Sequence, residues 1–465
     1  MESERLVYTL DEALAAVGFG KFQGLVLVYA GFGWFSEAIE IMILSFVGPA
    51  VKLKWALSSS EESLLSSVVF AGMLIGAYSW GLTSDNYGRR KALLSMTVIT
   101  SGAGFLSAFS PNYISLLFLR CLVGFGLGGG HVFLSWFLEF IPTLHRGKWM
   151  VIISIFWTIG TIFEASLAWI VMPILNWRWL LALSAVPSFS LLLFYRLVPE
   201  SPRYLCLKGR TVHAHQILEK MALVNQKDLP PGMLISYEII EVDEEYPSEY
   251  TSFLSVAREK ISIFRSVLLT SEIRTVQDKC SSTALLTENL QADSLYTDVL
   301  ITSFAELPGI LLSVVIVDRF GRKPAMTIMF ILAWVFLLPL VSSQSAILTT
   351  GLLFGARMFS MGTFTVACIY APELYPTSVR STGAGVASAI GRIGGMVCPL
   401  VAVALTSSCH LKEAIILFEV VIAVTVTCIL LFPFETSGRE LGDSIAVSDS
   451  KQALLADNSS STPSP

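Results

Sequence analysis

Apolar runs of about 20 residues, each long enough to cross a bilayer, alternate along this chain with short polar loops. They fall near 22–50, 63–84, 92–109, 112–137, 149–173 and 179–198, and again near 297–317, 324–342, 347–371, 381–407 and 411–433. Eleven such runs predict an all-α membrane protein, because a soluble core rarely needs so many full-length apolar runs joined by short loops. Residues 199–250 are a polar central loop in which His213 to Val224 has the pattern of an amphipathic helix. Pro230-Pro231-Gly232 and the acidic run Glu241 to Glu245 end it.

Within this pattern the polar loops repeat. Gly81-Leu82-Thr83-Ser84-Asp85-Asn86-Tyr87-Gly88-Arg89-Arg90-Lys91 is echoed by Val317-Asp318-Arg319-Phe320-Gly321-Arg322-Lys323-Pro324, with Asp85 and Asp318 233 positions apart. Glu139-x-x-Pro142-Thr143-x-x-Arg146 returns as Glu373-x-x-Pro376-Thr377-x-x-Arg380 at offset 234. Arg120 matches Arg357 at 237, and Pro199-Glu200 matches Phe434-Glu435 at 235. Landmarks in one order at nearly one spacing mean an internal duplication of a large unit. The duplication predicts a first bundle over 1–198, a central loop and degenerate seventh span over 199–295, a second bundle over 296–439 and a polar, disordered tail over 440–465. The position equivalent to the first span falls near Ser271, where Arg258, Glu259, Lys260, Arg265, Glu272 and Arg274 crowd one stretch. Each central charge costs about 2.5–3.5 kcal/mol in a bilayer, so that stretch is not a span.

Composition and charge narrow the class. The chain is 54% hydrophobic and 14% charged, with a mean hydropathy of +0.67. Basic residues gather on one set of loops (Arg89, Arg90 and Lys91; His145, Arg146 and Lys148; Arg203, Lys208 and Arg210), while the opposite loops hold only Lys52, Lys54 and Arg178. That bias places the N-terminus and the basic loops in the cytosol. Residues 1–20 read as a short polar lead-in without a cleavable signal. No basic patch with interleaved aromatics suggests nucleic acid, and the seven cysteines lack metal-ligand spacing. No nucleotide-binding glycine loop ending in Lys-Ser/Thr is present, which argues against an ATP-driven pump. No cofactor, metal or oligomer is expected.

The paired loops, with Pro199-Glu200-Ser201-Pro202-Arg203 and Pro433-Phe434-Glu435-Thr436-Ser437-Gly438-Arg439, resemble the major facilitator superfamily. Gly18-Phe19-Gly20-Lys21-Phe22-Gln23 and Glu37-Ala38-Ile39-Glu40-Ile41-Met42 resemble its synaptic-vesicle-protein-related group. Tyr370-Ala371-Pro372-Glu373-Leu374-Tyr375-Pro376-Thr377 is similar to the plant organic cation/carnitine transporters of the nicotinate-carrier type. The resemblance implies two pseudo-symmetric helical bundles, twelve spans, and alternating access for a small organic solute such as a cation, carnitine or nicotinate, driven by protons. It implies a multi-pass protein of the plasma membrane, with the vacuolar membrane as the alternative. This chain departs from it in two ways: Asn86 stands where an Arg usually follows the loop Asp, and the seventh span is missing. The reading from another class is a truncated, non-transporting membrane protein that binds partners.

Charged residues inside spans are the candidate chemistry. Glu37 and Glu40 share a helix face in the first span, as a proton or cation site or as acids neutralised by an interhelical Arg. Arg120 precedes Gly124-x-Gly126-x-Gly128-Gly129-Gly130, and its counterpart is Arg357. The family resemblance places spans one, four, seven and ten around the solute, where an Arg binds a carboxylate; the alternative is an ion pair that holds helices together. Glu164 and Glu306 are further buried acids, with Pro308-Gly309 beside the second. Trp34, Trp157 and Tyr370 offer aromatic faces to a cation or plain packing, and His131 more often packs than relays protons. The resemblance also implies that Asp85, Arg89, Arg90, Glu139, Arg146, Glu200 and Arg203, with Asp318, Arg322, Glu373, Arg380, Glu435 and Arg439, lock the two halves at the cytosolic face.

Overall fold

A computed structural model describes residues 7–142, 146–234, 299–342, 345–375, 379–407 and 411–431. In the first half, α1 (Leu10–Val17) precedes α2 (Lys21–Met42), α3 (Leu44–Trp55), α4 (Ser59–Tyr87), α5 (Arg89–Ser107), α6 (Tyr113–Leu127), α7 (Gly130–Leu138), α8 (Arg146–Ile174), α9 (Trp177–Ser184) and α10 (Val186–Leu193). After the spans of the first half follow α11 (Pro202–Leu207) and α12 (Thr211–Asn225). A helical turn over 299–304 leads into α13 (Glu306–Phe320), and then come α14 (Arg322–Leu337), α15 (Ala346–Leu374), α16 (Arg380–Ser407) and α17 (Leu411–Leu430).

Every expected span is occupied by a helix or by two helices in line. Among the described residues nine segments meet the length and apolarity of a membrane crossing. The other two helices are α5, which opens on Arg89-Arg90-Lys91, and the Gly- and Ser-rich α16, which carries Arg380 and Arg392. The breaks have local causes. The glycine run interrupts the helix at Gly128-Gly129, between α6 and α7. Pro187, in the first turn of α10, separates it from α9. Ser58, Asn112 and Asn176 cap α4, α6 and α9 through their side chains, which fixes where those helices begin.

The first-half helices pack around one core that includes Trp34, Trp136, Phe137 and Trp157, and the second half has its own, around Phe330, Tyr370 and Ile422. The halves meet where α16 lies along α4 and where α13 lies against α8.

The lead-in is more structured than its polarity predicts. Val7–Tyr8 pairs in parallel with Met233–Leu234, and α1, with Thr9 and Glu12 forming a capping box, packs on α12. Residues 252–295, the expected degenerate span, lie outside the described residues, as do Glu435, Arg439 and Asn458. The side chains of Arg146 and Asp318 are also outside the description.

Both sets of duplicated loops come to one end of the molecule, because Asp85 and Glu139 touch residues at the start of α16. From there α16 runs to the far side and α17 returns, so the chain re-emerges at 431 on the end that carries Arg89 and Arg322. Asn458-Ser459-Ser460 is the only glycosylation sequon in the chain. Made in microsomes, the protein is expected to leave Asn458 unmodified. An endoglycosidase-sensitive shift that vanishes in Asn458→Gln would show a flipped second half.

Candidate functional site

The loop between α4 and α5 turns at Gly88, with φ of +102°, and its repeat turns at Gly321, with φ of +85°. Both lie in the region that favours glycine, and a Cβ on Gly88 would also collide with the Glu200 carboxylate. The turn drives the first residue of α5, Arg89, into the interior. There its Nη2 stands 2.9 Å from Glu139 Oε1 and 3.1 Å from Asp85 Oδ1, and its guanidinium lies over the Tyr204 ring. The repeat reproduces this pair, with Arg322 Nη2 3.1 Å from Glu373 Oε1.

Among the described residues, three contacts join the halves at this end. Asp85 Oδ2 accepts from both the backbone N–H and the hydroxyl of Thr382, each at 2.7 Å. Arg380 Nη1 lies 3.6 Å from Glu139 Oε1, and the Ser84 and Ser381 hydroxyls meet at 3.3 Å. Glu200, Arg90 and Arg203 also make contacts within their own half. Glu200 accepts the backbone N–H groups of Arg89 (2.9 Å), Arg90 (3.3 Å) and Ser201 (3.0 Å). Burial raises its carboxyl above the usual range, and these donors oppose the rise. Arg90 places its guanidinium over the Tyr195 ring. Arg203 pairs with Asp11 of the lead-in. The side chain of Asn86 is exposed, while its carbonyl accepts from Tyr204 Oη at 3.0 Å.

Glu139 thus serves two arginines at once. Glu139, Arg89 and Arg380 are all at most 1% exposed. Removing one partner of a buried ion pair leaves a charge without compensation and costs about 3–5 kcal/mol. Glu139→Gln is therefore expected to lower the thermal stability of the purified protein by an amount of that order. A change within about 0.5 kcal/mol, typical of surface substitutions, would show that the network holds nothing together.

In mid-membrane the structure separates the two acids of α2. Glu40 faces Arg120, with Oε2 3.0 Å from Nη1. Arg120 also donates to Ser107 Oγ and the Gly104 carbonyl, and both charged residues are 1% exposed. This is the helix-holding arrangement, wholly inside the first half. Glu164, also buried, accepts from Ser184 Oγ at 2.8 and 3.0 Å on the same side of the bundle.

Glu37 points the other way. Its Oε1 lies 3.6 Å from Arg392 Nη2 on α16, so this pair joins the two halves, and Arg392 keeps 18% of its side chain exposed. Sequence reasoning missed Arg392. Its signal was a lone Arg in the middle of the Gly-rich run 381–407.

A second junction lies between α8 and α13. Arg357 Nη2 is 2.8 Å from Glu306 Oε1, while Thr158 and Thr161 of the first half donate to Glu306 Oε2 at 3.1 and 3.2 Å. Glu306 and Arg357 were expected from the sequence, but the two threonines were not. Ala305 and Glu306 mark the break before α13, two residues ahead of Pro308. Trp34, whose indole N–H donates to the Gly130 carbonyl at 3.3 Å, meets Trp157 edge-on at 5.3 Å and Phe364 of the second half at 6.4 Å. Tyr370 is buried in the second-half core. His131 bonds the Gly128 carbonyl at 3.1 Å through Nδ1.

Two helical bundles carrying duplicated charge motifs, with ion pairs inside the spans and one of them joining the halves, define a carrier of the major facilitator type. The chain belongs to the sugar (and other) transporter family, which it matches over residues 28–444. It is 54% identical to the organic cation/carnitine transporter 7 of Arabidopsis thaliana over 486 aligned positions, covering 95% of this chain and 97% of that protein. It is 38% identical to the synaptic vesicle 2-related protein of Xenopus laevis, covering 94% and 83% respectively. The structure of the proton:xylose symporter XylE bound to 6-bromo-6-deoxy-D-glucose superposes with a TM-score of 0.73, covering 90% of this chain and 98% of that one at 18% identity. At that identity the likeness shows the fold alone. The relatives are transporters rather than enzymes, as the sequence led us to expect.

Proposed function

We propose that this chain is a secondary carrier that moves a small zwitterionic or cationic organic solute, carnitine-like in its charge, across the plasma membrane by alternating access with proton coupling. It works as a monomer. The observation that supports this most is the Glu37–Arg392 pair, 3.6 Å apart across the two halves. One carboxylate and one partly exposed guanidinium face each other at the junction that must open. A solute with an ammonium and a carboxylate can replace each with its opposite, and Arg offers its planar fork to the carboxylate. At the cytosolic end Asp85–Thr382 and Glu139–Arg380 are contacts that break and re-form as the halves rock. The name of the Arabidopsis relative, an organic cation/carnitine transporter, agrees with this charge pattern.

One observation favours the second reading, a chain with little or no transport. The alignment to the Arabidopsis relative runs over 486 positions, more than the 465 residues of this chain, so that relative carries stretches which this chain lacks.

Uptake into proteoliposomes separates the two. Labelled carnitine, nicotinate and tetraethylammonium are each offered with and without an inward proton gradient. Carnitine uptake above empty liposomes, raised by the gradient, is expected. Absence of uptake of all three by folded, inserted protein would overturn the carrier reading.

A further inference from the structure

Hydroxyls inside an apolar helix usually bond a carbonyl about one turn back on their own backbone. On α8, Ser154 donates to the Met150 carbonyl at 3.3 Å and Ser166 to the Ile162 carbonyl at 2.8 Å. Thr158 instead donates across the junction between the halves, to Glu306 Oε2 at 3.1 Å. Thr161 has two acceptors in reach, the Thr158 carbonyl at 2.9 Å and Glu306 Oε2 at 3.2 Å. A hydroxyl carries one hydrogen. Thr161 therefore serves either its own helix or the other half, and it can pass from one to the other by a small rotation.

Glu306 is divided in the same way. Its Oε1 accepts from Nε and Nη2 of Arg357 at 3.2 and 2.8 Å, within the second half, while its Oε2 faces the two threonines of the first. When α8 and α13 part, no charge is stranded. Arg357 keeps the carboxylate, Thr161 keeps the Thr158 carbonyl, and Thr158 can turn to its own helix as Ser154 and Ser166 do. The junction lies about 20 Å along α8 from its start at Arg146. That is beyond the middle of a bilayer core of about 30 Å, on the side away from the duplicated loops. The opposite seam is built differently. A Cβ on Gly81 would stand 2.7 Å from the Ser381 carbonyl oxygen, and one on Gly385 2.4 Å from that of Ala77, so α4 and α16 touch backbone to backbone.

We propose that Thr158 and Thr161 are positioning residues of the transport cycle: through Glu306 they latch α8 to α13 on the side away from the duplicated loops, and they release it when the halves part there. The proposal rests on the carrier reading and adds the place where that side is held shut. Closed, the latch gives Glu306 two hydroxyl donors from the other half. Open, every group returns to a partner in its own half, and water entering the gap can serve Glu306 Oε2. A contact whose groups all have a second partner breaks at low cost, as one that cycles with every turnover must. The threonines act on Glu306 and not on the solute.

The test uses the full chain in proteoliposomes, with counterflow of carnitine, nicotinate and tetraethylammonium measured first. Hydrogen–deuterium exchange then follows the backbone amides of 158–174 and 299–310 in the wild type, in Thr161→Val and in Thr158→Val/Thr161→Val. Losing one hydrogen bond to a charged group corresponds to about tenfold or more in an equilibrium, and Thr161 shares its hydrogen. Exchange in these two segments is therefore expected to rise about fivefold or more in Thr161→Val and further in the double variant. Exchange in 113–127, within the first half, should stay within about twofold, because local opening leaves the rest of the fold protected. The maximal counterflow rate should change in the same variants. Thr161→Ser, which keeps the hydroxyl, should restore both. Thr161→Val leaves Glu306 with Arg357 and Thr158, so it stays folded even where the double variant does not. Unchanged exchange, an unchanged maximal rate, or an equal rise in every segment would overturn the latch and leave the carrier reading intact. Absence of counterflow of all three solutes by folded, inserted wild type would overturn both.

Discussion

Glu37→Gln is expected to lower gradient-driven accumulation of solute by about 5- to 150-fold while the protein still folds and exchanges solute across the membrane. The carboxylate joins the two halves through Arg392 at 3.6 Å. Glutamine keeps the volume and loses the charge, so Arg392 loses the anion that faces it. Coupling free energies of about 1–3 kcal/mol correspond to about 5- to 150-fold, and accumulation should fall by a factor in that range. Glu40→Gln should behave differently, although the two acids are one helical turn apart. Glu40 is buried against Arg120 at 3.0 Å, and losing it strands a guanidinium that is 1% exposed. The expected result is a loss of folded protein, on the order of 3–5 kcal/mol. Proteoliposome accumulation and thermal stability, measured on both variants, check the contrast. Full accumulation in Glu37→Gln, or equal behaviour of the two variants, would remove Glu37 from the transport cycle.

That contrast marks where the sequence stops being legible. Periodicity located the eleven spans that the described residues fill with helices, because most of them are long apolar runs, but it did not anticipate α1 or α11. The resemblance named Arg89, Glu139, Arg322 and Glu373 as charges that lock the halves, but not that each Arg would pair with the Glu of its own half. Spacing also put Glu37 and Glu40 on one face, but a face spans a wide arc. Which neighbour each acid meets depends on helix packing that no one-dimensional pattern carries. Gly104 leaves room for the Glu40 carboxylate beside Arg120, and Gly130 leaves room for Glu37 on the opposite side. Arg392 was overlooked because glycines dominate its run and no duplicated motif marks it. Asp11 was overlooked because a polar lead-in gives no sign that it will fold back on Arg203. The Thr158 and Thr161 bonds to Glu306 cross between the halves, and hydroxyls inside an apolar helix usually bond their own backbone.

Insertion of a family-type apolar helix between Ser266 and Val267 is expected to raise uptake by about tenfold or more, equivalent to at least about 1.4 kcal/mol of barrier. The resemblance implies four helices around the solute, the first, fourth, seventh and tenth spans. Three of them are among the described residues: α2, the broken pair α6–α7, and α15. Their residues already meet at the junction, where Trp34 of α2 packs against Phe364 of α15 and donates to the Gly130 carbonyl at the start of α7. The stretch where the seventh span belongs holds Arg258, Glu259, Lys260, Arg265, Glu272 and Arg274. Such charges at the bilayer centre cost about 2.5–3.5 kcal/mol each, so this stretch cannot replace an apolar helix facing lipid. The longer alignment with the Arabidopsis relative agrees with a segment absent from this chain. A bundle short of one wall would leave the solute path open to lipid on that side, and binding energy from that wall would be lost. The measurement is initial uptake in proteoliposomes for the chain with and without the inserted helix, at matched amounts of inserted protein. If the longer chain reaches the membrane in its folded form and carries no more solute than the shorter one, the missing helix is not what limits transport, and the three remaining walls with the Glu37–Arg392 pair suffice by themselves.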